Sequence, residues 1–157
     1  EAALIAAVEE VNNRQKYLIS NKVIKRFGND LSGLTFAIWG LSFKPGTNDM
    51  REAPAIYVIK ELVKRGATIK AYDPKAMDEA KHFYLKDVEN VNYYDSKYDV
   101  LKNTDAMILL TEWKEFRSPD FVEIKKQLKS AIIFDGRNQY IAYDLLDKGF
   151  EYYRIGK

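Results

Sequence analysis

Short apolar segments alternate with amphipathic segments from Leu34 to the end of this 157-residue sequence. The first of them, Thr35 to Trp39, is a continuous apolar run, which is typical of a parallel strand buried on both faces. Strands are predicted at 35–39, 67–72, 91–94, 106–110, 131–134 and 150–153. Helices are predicted between them at 53–65, 77–85, 98–102, 121–128 and 142–148. The alternation predicts an α/β fold, a Rossmann-like three-layer α/β/α arrangement with a parallel sheet in the order 3-2-1-4-5-6.

A different pattern precedes this alternation. Apolar residues recur at helical spacing over residues 2–27 and predict one long amphipathic helix, which ends at Gly28; they are Leu4, Val8, Val11, Leu18, Ile19, Val23 and Phe27. We therefore divide the chain into a connecting helix, residues 1–30, and an α/β domain, residues 31–157. Because the sequence starts at Glu1 directly in a helical pattern, we expect it to be part of a longer protein.

The composition excludes several classes of function. Twenty-five basic and 23 acidic residues leave a net charge of +2, which gives no electrostatic reason to expect nucleic acid as a partner. No run reaches the roughly 18 apolar residues that a membrane span needs. With no cysteine and only His82, the sequence offers neither a thiolate nucleophile nor a multi-histidine metal site. The lack of cysteine agrees with a reducing cytoplasm.

The loop from Gly40 to Pro54 follows the first predicted strand, where an open parallel sheet binds its ligands. It is not a dinucleotide fingerprint, because the second glycine of G-x-G-x-x-G is missing, and it is not a P-loop. It does carry Lys44 and Arg51, whose charges suit a phosphorylated ligand. Arg51 could equally form a surface ion pair with Asp49 or Glu52 worth under about 1 kcal/mol. The loop by itself leaves both interpretations open.

Two further segments end at the same predicted edge. Thr111-Glu112-Trp113 follows the fourth strand, and Phe134-Asp135-Gly136-Arg137 ends the fifth. Lys44, Arg51 and Arg137 are therefore expected to converge, which strengthens the case for a phosphorylated ligand. Trp113 is interpreted as a packing residue. Asp73 stands where a dinucleotide domain binds ribose, but without the glycine fingerprint it is interpreted as a turn residue before Pro74.

The run from Gly40 to Pro54 closely resembles the signature of the family of UDP-glucose and related nucleotide-sugar dehydrogenases. Tyr72-Asp73-Pro74, Thr111-Glu112-Trp113 and Phe134-Asp135-Gly136-Arg137 follow in that family's order, and the likeness extends from about Val11 to Gly156. Met50 to Pro54 resembles the UDP-glucose branch more than the UDP-N-acetylmannosamine branch. The resemblance implies a C-terminal, Rossmann-like UDP-sugar-binding domain. A preceding domain would hold NAD, and the long helix would connect the two and build a homodimer.

The resemblance also implies roles for single residues. Phe43, Lys44 and Arg137 would contact UDP-glucose, and Arg51 would reach the pyrophosphate of NAD. The family oxidises the C6 alcohol of the sugar in two hydride transfers through a thiohemiacetal on a cysteine. Because this sequence has no cysteine, no catalytic residue is assigned, and the chain alone is expected to be inactive. The alternatives are another sugar nucleotide (UDP-N-acetylmannosamine or GDP-mannose), a non-catalytic nucleotide-binding module, and a structural or interaction domain.

Overall fold

The computed structural model describes residues 2–156, and of residues 8–13 it describes the backbone alone. Its six strands form one parallel sheet in the order β3-β2-β1-β4-β5-β6, which confirms the predicted class and strand order. The strands are β1 Thr35–Trp39, β2 Thr68–Tyr72, β3 Val91–Tyr93, β4 Ala106–Leu109, β5 Ile132–Asp135 and β6 Glu151–Arg154. The direction in which successive strands are added to the sheet reverses between β1 and β4. The loops after these two strands therefore flank the crevice of the sheet.

Helices cover both faces of the sheet. They are α1 Ala2–Lys16, α2 Leu18–Phe27, α3 Pro54–Lys64, α4 Met77–Glu79, α5 Lys114–Arg117 and α6 Phe121–Gln127. Phe36 and Ile38 of β1 join the core beneath α2 and α3, whereas Trp39 joins the core beneath α5 and α6. Trp39 stacks on Phe116 with ring centroids 4.7 Å apart. Alternate residues of one strand thus serve two separate cores, which is why the strand is apolar throughout.

The predicted helix over residues 2–27 is interrupted at Tyr17. The φ of −108° and ψ of 4° at this residue lie outside the helical region, so α1 ends at Lys16 and α2 begins at Leu18. Ser20 donates a hydrogen bond of 3.1 Å to the Tyr17 carbonyl and stabilises the new helix start. α2 buries Ile19 and Val23, whereas the side chains of residues 2–7 of α1 are exposed. The break therefore separates the packed helix α2 from a helix whose first residues, 2–7, are exposed.

The predicted helix at 142–148 is also wrong. A 3₁₀ turn at Ile141–Tyr143 is followed by Asp144 in the left-handed conformation, with φ and ψ both 51°. A right-handed helix cannot continue through such a residue, and turns lead on to β6. The segment at 98–102 is likewise a 3₁₀ turn, Asp99–Leu101, and α4 passes into a π-helical turn at Ala80–Tyr84. The short helix α5 was not predicted, because four residues are too few to show a helical period.

None of the described helices is long and apolar enough to cross a membrane. His82 is exposed. The aromatic residues Phe150, Tyr152 and Tyr153 are packing residues. Phe150 and Tyr152 belong to the core beneath α5 and α6, and Tyr153 belongs to the other core, where it stacks on Phe134 at 4.8 Å.

Candidate functional site

The carboxylate of Asp73 organises the edge of the sheet where the loops meet. One oxygen accepts hydrogen bonds from the backbone N–H groups of Leu41 (2.7 Å) and Ser42 (3.0 Å) and from the indole of Trp113 (3.1 Å). The other oxygen accepts two backbone N–H groups of its own turn, each at 2.8 Å. Because Asp73 is completely buried and both oxygens are occupied, it is a structural acceptor, in agreement with the turn interpretation. Trp113 packs against the core beneath α5 and α6, as predicted.

The loops after β1 and β4 are in direct contact at Gly40. A Cβ at this position would lie 2.5 Å from Thr111 Cβ and 2.6 Å from its backbone nitrogen. The φ of Gly40 is +99°, a conformation that glycine adopts without steric cost. The Thr111 hydroxyl then donates a 2.7 Å hydrogen bond to the Ser42 carbonyl. The contact between the two loops therefore fixes the backbone positions of Phe43 and Glu112, which come next along each loop.

The 40–54 loop is held in shape by the buried side chain of Met50 and by a backbone hydrogen bond across the loop. The Phe43 N–H donates to the Asp49 carbonyl at 2.8 Å, and the Met50 side chain has no solvent exposure. Glu52 adopts a positive φ of 59°, after which Pro54 begins α3. The Phe43 ring remains 50% exposed beside the loop. A half-exposed aromatic ring on a closed loop is available to a ligand.

A second buried carboxylate, Asp135, fixes the turn after β5. It accepts the N–H groups of Arg137 (3.0 Å) and Tyr140 (2.8 Å) and the hydroxyl of Tyr152 (2.7 Å). Burial, and then the bond to this carboxylate, raises the pKa of Tyr152 well above the ordinary value for tyrosine, so the hydroxyl remains a donor. The Arg137 guanidinium donates its Nε–H to the carboxylate of Glu112.

These loops enclose what we call the central cavity, a space of about 660 Å³. Phe43 and Arg137 both line it, so the structure brings together two of the three predicted substrate contacts. The opposite wall comes from the junction of α1 and α2, and includes Gln15, Lys16 and Ile19. Sequence reasoning missed that wall, although polar Gln15 within the apolar helical pattern was a signal for it.

A second space, the side cavity of about 700 Å³, lies next to the central cavity. Phe43 and Glu52 line both of them, and Arg51 lines only the side cavity. The Arg51 side chain is 80% exposed and forms a 3.0 Å ion pair with Asp49, whose pKa is lowered by the hydrogen bonds from Arg51. The surface pairing that the sequence left open therefore exists. Lys44 is exposed and lines neither cavity, so the three cations share an edge of the sheet but not one cavity.

The end of α1 is attached to the same loop. Lys16 Nζ lies 3.3 Å from a Glu52 carboxylate oxygen, which also accepts the Tyr57 hydroxyl at 3.2 Å. Lys16 also lies over the Tyr57 ring, 4.6 Å from its centroid. Hydrogen bonds with Tyr57 and Glu52 raise the pKa of Lys16. These contacts link the connecting helix to the loop that carries Phe43.

The described residues do not form a complete binding site for a dinucleotide or for a metal ion. The 40–54 loop lacks the glycines that let a backbone approach a pyrophosphate, and Arg51 offers a single exposed guanidinium. In the part of the chain that the structure describes, no three His, Cys, Asp or Glu side chains are grouped so that they could hold a metal ion.

Known proteins resemble the chain in sequence and in structure. It is 40% identical to the UDP-glucose 6-dehydrogenase TuaD of Bacillus subtilis over 98% of this chain. It is 37% identical to the UDP-glucose 6-dehydrogenase of Pseudomonas aeruginosa over 100% of this chain. These alignments cover 32% and 35% of the two relatives, so the chain spans about a third of their length. A solved UDP-glucose dehydrogenase from Pyrobaculum islandicum superposes with a TM-score of 0.78 at 27% identity, over 98% of this chain and 32% of that one.

A family model matches as well and covers most of the α/β domain. Residues 37–142 match the UDP binding domain of the UDP-glucose/GDP-mannose dehydrogenase family. That range begins within β1 and includes the 40–54 loop, Asp73, Glu112 and the Arg137 turn. This chain therefore belongs to the UDP-glucose/GDP-mannose dehydrogenase family, as the motifs in its sequence indicate.

Proposed function

We propose that this chain is the C-terminal, UDP-sugar-binding part of a UDP-glucose 6-dehydrogenase, and that the central cavity receives the UDP portion of the substrate. The observation that carries the proposal is the joint presence of Phe43 and Arg137 on that cavity, each on a loop fixed by a buried carboxylate. A guanidinium binds phosphate oxygens through parallel hydrogen bonds, and an exposed ring offers a face to a base or a sugar. Lys44 would add charge at the same edge.

In this proposal the parent enzyme oxidises UDP-glucose to UDP-glucuronate with NAD as hydride acceptor. NAD is bound mainly by the preceding domain, and Arg51, exposed on the side cavity, contacts its pyrophosphate. The sequence contains no cysteine, so the thiolate nucleophile belongs to another part of the protein and this chain binds and orients substrate. A thiolate enzyme of this kind would work in a reducing compartment such as the cytoplasm.

Calorimetric titration of the chain with UDP tests this proposal. We expect Arg137→Ala to weaken UDP binding about tenfold, the equivalent of one lost charge-assisted contact of about 1.4 kcal/mol. Lys44→Ala should weaken it less, because Lys44 lines neither cavity and acts on the ligand only as a more distant charge. Lys60→Ala, on the exposed side of α3, is the control and should leave the affinity unchanged. Absence of UDP binding by the unaltered chain would contradict the proposal and favour a purely structural domain. Competition between UDP-glucose, UDP-N-acetylmannosamine and GDP-mannose identifies the sugar nucleotide.

We also propose that α1 pairs with a second copy of the chain. Leu4 and Ile5 are 69% and 60% exposed, and large apolar side chains grouped on a helix favour burial against a partner. Sedimentation equilibrium should show a dimer, and Leu4→Glu should shift it towards monomer because a charge would then be buried in the interface. A monomeric unaltered chain would contradict the pairing.

A further inference from the structure

Two hydrogen bonds hold Arg137, one at its backbone and one at its guanidinium. Its backbone N–H donates to Asp135 at 3.0 Å, and its guanidinium Nε–H donates to the carboxylate of Glu112. The Glu112 side chain is only 20% exposed, against 42% for that of Arg137. An arginine side chain has several rotatable bonds, and fixing both ends removes most of its conformational freedom before a ligand arrives.

The contact with Glu112 uses the inner nitrogen of the guanidinium. Within the described residues, the two terminal Nη groups of Arg137 have no protein partner. Arg51 differs, because its Nε and one of its Nη groups both donate to Asp49. Unlike Arg51, Arg137 thus presents a free pair of parallel donors, and it lines the central cavity.

Glu112 is itself placed by the contact between the loops. It follows Thr111, which is buried against Gly40 and donates to the Ser42 carbonyl. The Ser42 N–H in turn donates a hydrogen bond to Asp73. The loops that carry Phe43, Glu112 and Arg137 are therefore one connected unit, and the carboxylate of Glu112 is its link to the guanidinium.

We propose that Glu112 is a positioning residue, which aims the terminal nitrogens of Arg137 at the diphosphate of the substrate. This inference rests on the proposed function. Electrostatics alone predicts the opposite effect, since a carboxylate close to an anionic ligand opposes binding. The direction in which affinity changes when Glu112 is removed therefore distinguishes a positioning role from that of a simple counter-charge.

Calorimetric titration of variants with UDP tests the direction of this effect. Glu112→Ala should weaken UDP binding about fivefold, because a mobile arginine must then be ordered on binding. Glu112→Gln should bind UDP at least as tightly as the unaltered chain, because the amide oxygen still accepts the Nε–H and the opposing charge is gone. Glu115→Ala is the control: its carboxylate accepts the Tyr72 hydroxyl and does not line the central cavity, so removing it takes away a carboxylate without freeing Arg137 and should leave UDP binding unchanged.

A double variant shows whether Glu112 acts through Arg137. In the Arg137→Ala background, Glu112→Ala should cause no further loss of affinity, because there is no guanidinium left to orient. Nitrogen-15 NMR gives a readout that does not depend on UDP. The Arg137 Nε–H signal should be protected from solvent exchange in the unaltered chain and in Glu112→Gln, and should lose that protection in Glu112→Ala.

Two results would overturn the inference while leaving the proposed function intact. One is UDP binding by Glu112→Ala that is as tight as, or tighter than, that of the unaltered chain. The other is an equal loss of affinity from Glu112→Ala with and without Arg137, which would mean that Glu112 acts on the fold. If the unaltered chain does not bind UDP, the inference and the proposed function are both overturned.

Discussion

Replacing Asp73 with alanine is expected to lower the free energy of unfolding by about 4 kcal/mol, since several buried donors lose their acceptor at once. Four backbone N–H groups and the Trp113 indole converge on this one carboxylate, which has no solvent exposure. Alanine leaves all five donors without this acceptor, and the bonds from Leu41, Ser42 and Ala76 are buried, so water does not readily replace it there. Thermal unfolding should show the loss as a midpoint lower by about 12 °C for a chain of this size.

Asp30 provides a matched control for this substitution. It is an aspartate in a turn that accepts the backbone N–H of Ser32 at 3.0 Å, but it is exposed, so water can replace it. Asp30→Ala should therefore cost under about 1 kcal/mol. Similar losses from the two variants would mean that the Asp73 cluster does not hold the loops together.

Gly40→Ala is expected to lower the free energy of unfolding by about 3 kcal/mol, the sum of a backbone and a packing effect. The backbone effect comes from the φ of +99°, which disfavours any residue with a Cβ. The packing effect comes from Thr111, whose Cβ and backbone nitrogen lie 2.5 and 2.6 Å from the position of the new atom. Because Thr111 is buried and bonded to Ser42, it cannot move aside without displacing the neighbouring loop.

Gly46, in the same loop, isolates the backbone effect. Its φ is +88°, but nothing lies within 4 Å of the position that a Cβ would occupy. Chemical denaturation of Gly46→Ala should therefore show a loss of about 1 kcal/mol. The difference between the two variants measures the contact between the loops after β1 and β4. Equal losses would show that the contact contributes nothing to stability.

Local patterns in the sequence were sufficient to predict the sheet. Each strand of the sheet coincides with a short apolar or alternating segment, and the strand order is the one that a Rossmann-like fold implies. Among the predictions that failed were the helices over 2–27 and 142–148. Both have helical periodicity, but Tyr17 and Asp144 adopt backbone angles that end a helix, and periodicity carries no information about a single residue's φ and ψ.

The candidate site could be predicted only in part. The motif around Phe43 and the turn at Arg137 are visible in the sequence, and the structure places both on the central cavity. The partners of these residues are not visible in this way. Glu112 and Arg137 are 25 residues apart, and Asp73 and Ser42 are 31 residues apart, so these contacts exist only after the sheet has formed.

The sequence by itself determined the α/β class, the strand order and the motifs of a nucleotide-sugar dehydrogenase family, because these depend on side-chain type and on spacing along the chain. Only the tertiary structure decided how the charged residues are used. It paired Arg51 with Asp49 on the side cavity, left the terminal nitrogens of Arg137 free on the central cavity, and buried Asp73 as an acceptor. The physical reason is that a charge acts over a few ångströms in space, and folding sets those distances.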